Sequence, residues 1–78
     1  MSAFANERIR VLIVDDEPET VHLLTSVFDE SFAVTAVNSV PEANRLLAES
    51  WPDVAIIEPR VGAPGDSGLD LLRRMALG

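Results

Sequence analysis

Ile9-Arg10-Val11-Leu12-Ile13-Val14-Asp15-Asp16-Glu17-Pro18 is a β-branched apolar run that stops abruptly in three carboxylates and a proline. A strand covered on both faces needs such a near-continuous apolar run, as in a parallel sheet. Pro18 suits the first turn of a following helix, with Asp16 or Glu17 as its cap. Further out, Val21, Leu24 and Phe28, with Leu23 and Val27 beside them, recur at helical spacing and predict an apolar face. His22 falls with Thr25, Ser26 and Asp29 on the polar side, the place of a solvated histidine rather than a catalytic one.

The alternation continues along the chain. Phe32 to Val37 reads as a second strand. Ser39-Val40-Pro41-Glu42 is a capping box with proline in the first turn, and Ala43, Leu46 and Leu47 give that helix its buried stripe. Trp51-Pro52-Asp53 ends the helix, with Trp51 expected to pack rather than to bind. Val54-Ala55-Ile56-Ile57 is a third buried strand, closed by Glu58. A loop with Pro59, Gly62, Pro64, Gly65 and Gly68 follows. Ser67-Gly68-Leu69-Asp70 offers another capping box, opening a helix expected to bury Leu69, Leu72 and Ala76.

Strands alternating with helices predict an α/β fold: a three-stranded parallel sheet with helices on both faces. Open sheets of this kind bind ligands beyond the carboxyl ends of their strands, where the strand order reverses. With strand one between strands two and three, Asp15, Asp16 and Glu58 meet at that point.

Composition narrows the function. Seventy-eight residues make one domain at most, of marginal stability. At 47% hydrophobic the chain is too apolar to be disordered, yet it has no run of about 18 apolar residues to span a membrane. Residues 1–7 lack the basic start and apolar stretch of a signal peptide. There is no cysteine, which removes disulfides and thiolate metal sites and fits a cytoplasmic setting. A net charge of -7 argues against nucleic-acid binding by this segment. All six basic residues are arginine, so no amine side chain is present to pair with a phosphate.

Carboxylates gathered at strand ends suit a hard divalent cation. Magnesium takes oxygen ligands and keeps several waters, so two or three carboxylates suffice. The alternative for each acid taken alone is a helix cap or a solvated loop residue.

Val11-Leu12-Ile13-Val14-Asp15-Asp16-Glu17-Pro18, then Pro52-Asp53-Val54-Ala55-Ile56-Ile57-Glu58, then Gly68-Leu69-Asp70-Leu71-Leu72 together resemble the receiver domain of two-component response regulators. The likeness runs from Ile9 to Ala76 and covers about the first three-fifths of a family domain. It implies a flavodoxin-like sheet with strand order 2-1-3, a histidine kinase or other signalling protein as partner, and a phosphoryl group carried on an aspartate. It further implies that Asp15 and Asp16 hold magnesium, with Asp16 the direct ligand. Glu58 would stand at the phospho-acceptor position and contribute to the metal site. The backbone carbonyl of Arg60 would complete the metal shell.

Three departures from the family pattern stand out. Glu58 replaces the acceptor aspartate, and its extra methylene shifts the carboxylate by about 1.5 Å, the length of a carbon–carbon bond. Misplacement of about 1 Å can cost a hundredfold in rate. Glutamate is also a longer, permanently negative side chain that crudely imitates a phosphorylated aspartate. Next, the loop from Glu58 to Gly68 is about two residues longer than the common pattern, with Asp66 expected as a turn residue rather than a substitute acceptor. Finally, nothing corresponds to the family's fourth and fifth strands, nor to the hydroxyl residue and lysine that complete the phosphate site.

The expectation is therefore a regulatory module and not an enzyme. It is the N-terminal part of one receiver-like domain over residues 1–78, with a core at 8–77, and binds magnesium weakly at most. The competing reading is an interaction module that dimerises without phosphate. A magnesium-dependent phosphatase would need two aspartates separated by one residue, whereas Asp15 and Asp16 are adjacent.

Overall fold

Val11, Leu12, Ile13 and Val14 are all buried because β1 (Ile9–Val14) is the middle strand of the sheet. In the computed structural model, which describes residues 8–28 and 30–77, β2 (Phe32–Val37) and β3 (Val54–Ile57) flank it. Both pair with β1 in parallel, in the order β2-β1-β3. The register sets Ile9 opposite Phe32 and Val14 opposite Val37, and on the other side Val11 opposite Val54 and Val14 opposite Ile57. Parallel order 2-1-3 with interleaved helices is the flavodoxin-like arrangement expected from the sequence. Asp29 and residues 1–7 lie outside the described residues, as do the expectations that fall on them.

Successive strand residues point to opposite faces, so β1 serves two layers. Leu12 and Val14 join Val37, Ile57, Val61, Val40 and Ala43 of α2 (Val40–Glu49), and Leu71 of α3 (Gly68–Leu77) in one core cluster. Leu46, Leu47, Ala55 and Met75 pack against it. Ile13 is fully buried on the other face, and burial of such a side chain contributes about 1.5–3 kcal/mol. The helix α1 (Pro18–Phe28) packs against β2, and Phe28 meets Phe32 edge to face at 5.5 Å. Val21, Leu24 and Phe28 are half-buried, but Leu23 and Val27 are 63% and 65% exposed.

The helix starts follow the caps. The Ser39 hydroxyl accepts from the Glu42 N–H at 3.3 Å, satisfying one of the free amides of α2. At α3 the box is reciprocal: the Ser67 hydroxyl accepts from the Asp70 N–H, and the Asp70 carboxylate accepts from both the N–H and hydroxyl of Ser67. At α1 the Glu17 carbonyl accepts the first helical bond, from the Val21 N–H. The carboxylate that engages this turn is that of Asp15, not of Asp16 or Glu17.

Beyond the α1 cap, three further expectations are corrected, the first being β3, which lies at the edge of the three strands and leaves Val54 46% exposed. α3 buries Gly68 and Leu71, with Met75 half-buried, while Leu69, Leu72 and Ala76 lie on the exposed side. The cause is the close seating of Gly68 on the Glu58 peptide, which turns positions 68, 71 and 75 toward the sheet. The loop before α3 is also more ordered than its glycine and proline content suggested. It folds into a small hairpin of β4 (Gly62–Ala63) and β5 (Asp66–Ser67). Pro64-Gly65 forms its turn, with Gly65 at φ 90°, as the third residue of a type II turn requires. Asp66 closes this turn and pairs with Arg74 at 3.3 Å.

At the opposite end of the sheet, the Arg10 N–H donates to the Asp53 carboxylate at 2.8 Å and the Asp53 N–H donates to the Arg10 carbonyl at 2.9 Å. These bonds pin the start of β3 to β1. Trp51, 48% exposed, stands at the rim of an apolar pocket of about 250 Å³ walled also by Leu12, Leu46, Leu47 and Pro52. Among the described residues no helix is long and apolar enough to cross a membrane.

Candidate functional site

Backbone pairing brings the acidic strand ends together. The Glu58 N–H donates to the Val14 carbonyl at 2.9 Å, and the Asp15 N–H donates to the Val37 carbonyl at 3.1 Å. Asp15 and Glu58 therefore leave β1 and β3 side by side, at the carboxyl edge where the strand order reverses. Asp15, Asp16, Glu17, Thr20, Glu58 and Arg60 line one pocket of about 430 Å³ there. All four sequence-predicted site residues are at this pocket. Glu17 and Thr20 join them because Glu17 immediately precedes α1 and Thr20 lies in its first turn, three residues on. That i, i+3 spacing was the available signal for Thr20.

The three carboxylates differ in setting. Asp15 is buried, at 7% exposure, and its Oδ1 accepts from the Glu17 N–H at 2.9 Å. Such a local turn satisfies a short acidic side chain that would otherwise be costly to bury. Asp16 is exposed. Glu58 is half-buried, and its Oε1 accepts from the Arg60 N–H at 3.1 Å, two residues on. No buried polar side-chain atom among the described residues lacks a hydrogen-bond partner.

The loop behind Glu58 is held by its own backbone. The Val61 N–H donates to the Glu58 carbonyl at 3.2 Å, the Gly68 N–H to the Val61 carbonyl at 2.8 Å, and the Leu69 N–H to the Pro59 carbonyl at 3.0 Å. Gly62 takes φ 84°, and a Cβ there would lie 2.7 Å from the Asp66 carbonyl. A glycine is thus required where the loop folds back against Asp66.

Carboxylate oxygens are the donors magnesium prefers. Among the described residues no group of three acids converges on one point, but magnesium needs fewer side chains than that, and Asp15, Asp16, Glu58 and Arg60 line the same pocket. Asp15 and Glu58 each accept one backbone amide on a single oxygen, which leaves each a second carboxylate oxygen.

The chain matches the response regulator receiver domain over residues 11–77. It is 37% identical over 67 residues to the virulence transcriptional regulatory protein PhoP of Salmonella typhimurium, covering 85% of this chain and 29% of that protein. It is 32% identical over 76 residues to the alginate biosynthesis transcriptional regulatory protein AlgB of Pseudomonas aeruginosa, covering 96% and 16%. The hydrogenase transcriptional regulatory protein HoxA of Cupriavidus necator is 32% identical over 71 residues, covering 91% and 14%. The chain spans less than a third of the length of each of these relatives. No solved structure matches it. Family match, strand order and the acidic carboxyl edge agree: the chain belongs to the receiver domains of two-component response regulators.

Proposed function

We propose that this chain is the N-terminal part of a single receiver domain that signals without ordinary phosphotransfer, because Glu58 stands at the phospho-acceptor position. The observation that carries this reading is the seat of Glu58. It ends β3, bonds to the last peptide of β1 and lines the same pocket as Asp15 and Asp16. An aspartate at that seat would present its carboxylate about 1.5 Å further back. The glutamate is long enough to turn its carboxylate onto the Arg60 amide. A fixed negative charge at this place imitates a phosphorylated acceptor in sign, though not in full charge.

In this reading the module is regulatory rather than enzymatic and works in the cytoplasm. Its partner is a histidine kinase or another signalling protein, and magnesium binds weakly. The relatives carry names of transcriptional regulators, so the whole polypeptide is proposed to pass its signal to transcription. The experiment is exposure of the complete native polypeptide and its Glu58→Asp variant to a small phosphodonor. The variant gains a hydroxylamine-labile phosphoryl group; failure to gain one would contradict the role given to Glu58.

A second reading has its own observation. Ile9, Leu23, Val27 and Val54 are all exposed by 46% or more. Among the described residues the outer edge of β3 has no strand partner. Unpaired edges and apolar patches favour association, so a homodimer independent of phosphate is the alternative. Sedimentation equilibrium of the chain decides it: a strict monomer at high concentration contradicts dimerisation.

A further inference from the structure

The β4–β5 hairpin is held to two helices at once. At its base, Val61 is buried in the same core cluster as Val40 of α2 and Leu71 of α3. On its outer side the Arg74 guanidinium forks: Nη1 donates to the Asp66 carboxylate at 3.3 Å and Nη2 donates to the Asn44 side-chain carbonyl at 3.1 Å. Arg74 belongs to α3, Asp66 to β5 and Asn44 to α2, so one side chain ties three elements together. We propose that this fork couples the Glu58 loop to α2, so that a change in the seat of Glu58 is felt at Asn44. The inference rests on the receiver reading only in taking Glu58 as the position whose state is passed on.

The route from Glu58 to the fork is short. The Glu58 carbonyl accepts from the Val61 N–H at 3.2 Å, and its carboxylate accepts from the Arg60 N–H at 3.1 Å. Val61 leads directly into β4, where Gly62 pairs with Ser67 and Ala63 with Asp66. Gly62 lies so close to the Asp66 carbonyl that a Cβ on it would come within 2.7 Å. Backbone packed this tightly moves as a unit, so a shift at Glu58 reaches Asp66 instead of being absorbed on the way. Arg74 then carries it across to α2. The planar guanidinium suits that role because its two partners sit on different nitrogens, a geometry that a single ammonium point charge does not reproduce. The ion pair is about half-exposed on both sides, so it adds little stability and opens readily. That lability suits a coupling element better than a buried bridge would.

The test is NMR of the protein, read at the backbone amides of residues 61–63 and 65–67 and at the side-chain amide of Asn44. Glu58→Asp draws the carboxylate away from the Arg60 N–H and shifts both sets of signals. With Arg74→Gln in place, Glu58→Asp still shifts the hairpin amides, but the Asn44 signal no longer responds to it. Arg74→Lys keeps the charge without the fork and behaves as Arg74→Gln does. Asp66→Ala cuts the bridge from the hairpin side with the same result, and takes the place of Arg74→Gln should that variant fail to fold. An Asn44 response of equal size with and without the fork overturns the proposal. So does a response that survives Arg74→Lys, and so does a hairpin that ignores Glu58→Asp. A merely structural Arg74 would move the Asn44 signal when replaced, yet leave its response to Glu58→Asp intact. No phosphodonor enters the measurement, so its outcome is separable from that of the phosphorylation experiment.

Discussion

Gly68 lies against the peptide of Glu58 so closely that a Cβ on it would collide with the Glu58 carbonyl oxygen and come within 2.9 Å of Val61. The first residue of α3 is thus in direct contact with Glu58 at the end of β3. Backbone bonds from Val61 and Leu69 to the Glu58 and Pro59 carbonyls keep that contact fixed. Any change in the seat of Glu58 must be felt at the start of α3, because closely packed contacts do not deform continuously.

Gly68→Ala is therefore expected to destabilise the fold by about 2 kcal/mol or more, since the collision is with backbone and cannot be relieved by a rotamer change. Gly65→Ala is the control. A Cβ there meets nothing within 4 Å, and its cost is only that of a positive φ, about 1 kcal/mol. Urea titrations of the two variants check the ranking. An equal loss would mean that the contact with Glu58 is not tight.

The face of α3 gives a second test. Leu71 is 1% exposed and sits in the core, whereas Leu72 is 37% exposed. Leu71→Ala should cost about 2–5 kcal/mol, enough to unfold a chain of this size. Leu72→Ala should cost about 1 kcal/mol or less. Thermal melts separate the two, and a reversed order would restore the face predicted from the sequence.

That face shows where the sequence stopped being legible. Leu69, Leu71, Leu72, Met75, Ala76 and Leu77 surround α3 on all sides, so spacing alone does not choose among them. The choice is made by Gly68, the one position where the backbone needs to touch Glu58, and 71 and 75 follow from it. By contrast, β1 was legible as a strand because its apolar run ends abruptly in carboxylates, although the same kind of run in β3, also expected to be buried, lies at the edge of the three strands with Val54 46% exposed. The joint placement of Asp15, Asp16 and Glu58 followed only once strand one was set between strands two and three, an order implied by the family resemblance and not by the residue pattern. The β4–β5 hairpin was not legible, since two-residue strands carry no periodicity and only Pro64-Gly65 announces the turn. Nor could the sequence show Glu58 bending back to the Arg60 amide, which depends on how a side chain is satisfied in place.

Acid should weaken the start of α3. The Ser67 N–H, then the Ser67 hydroxyl, hold the Asp70 carboxyl below its ordinary value of 3.8, and Arg73 and Arg74 add to this while burial opposes it. A carboxyl with a lowered folded pKa stabilises the fold above its unfolded value, and that stability is lost as pH falls through the folded value. Asp70→Asn should therefore lose less stability than the unsubstituted chain as pH drops below about 4. Melting temperatures of both proteins across that window check the sign. Parallel curves would remove Asp70 from the acid response.

If Glu58 withholds the site from phosphotransfer, the complete native polypeptide carries no phosphoryl adduct after exposure to a small phosphodonor and magnesium, as read by intact-mass analysis. An adduct mapped to Glu58 would contradict it, showing that the longer side chain reaches the donor after all.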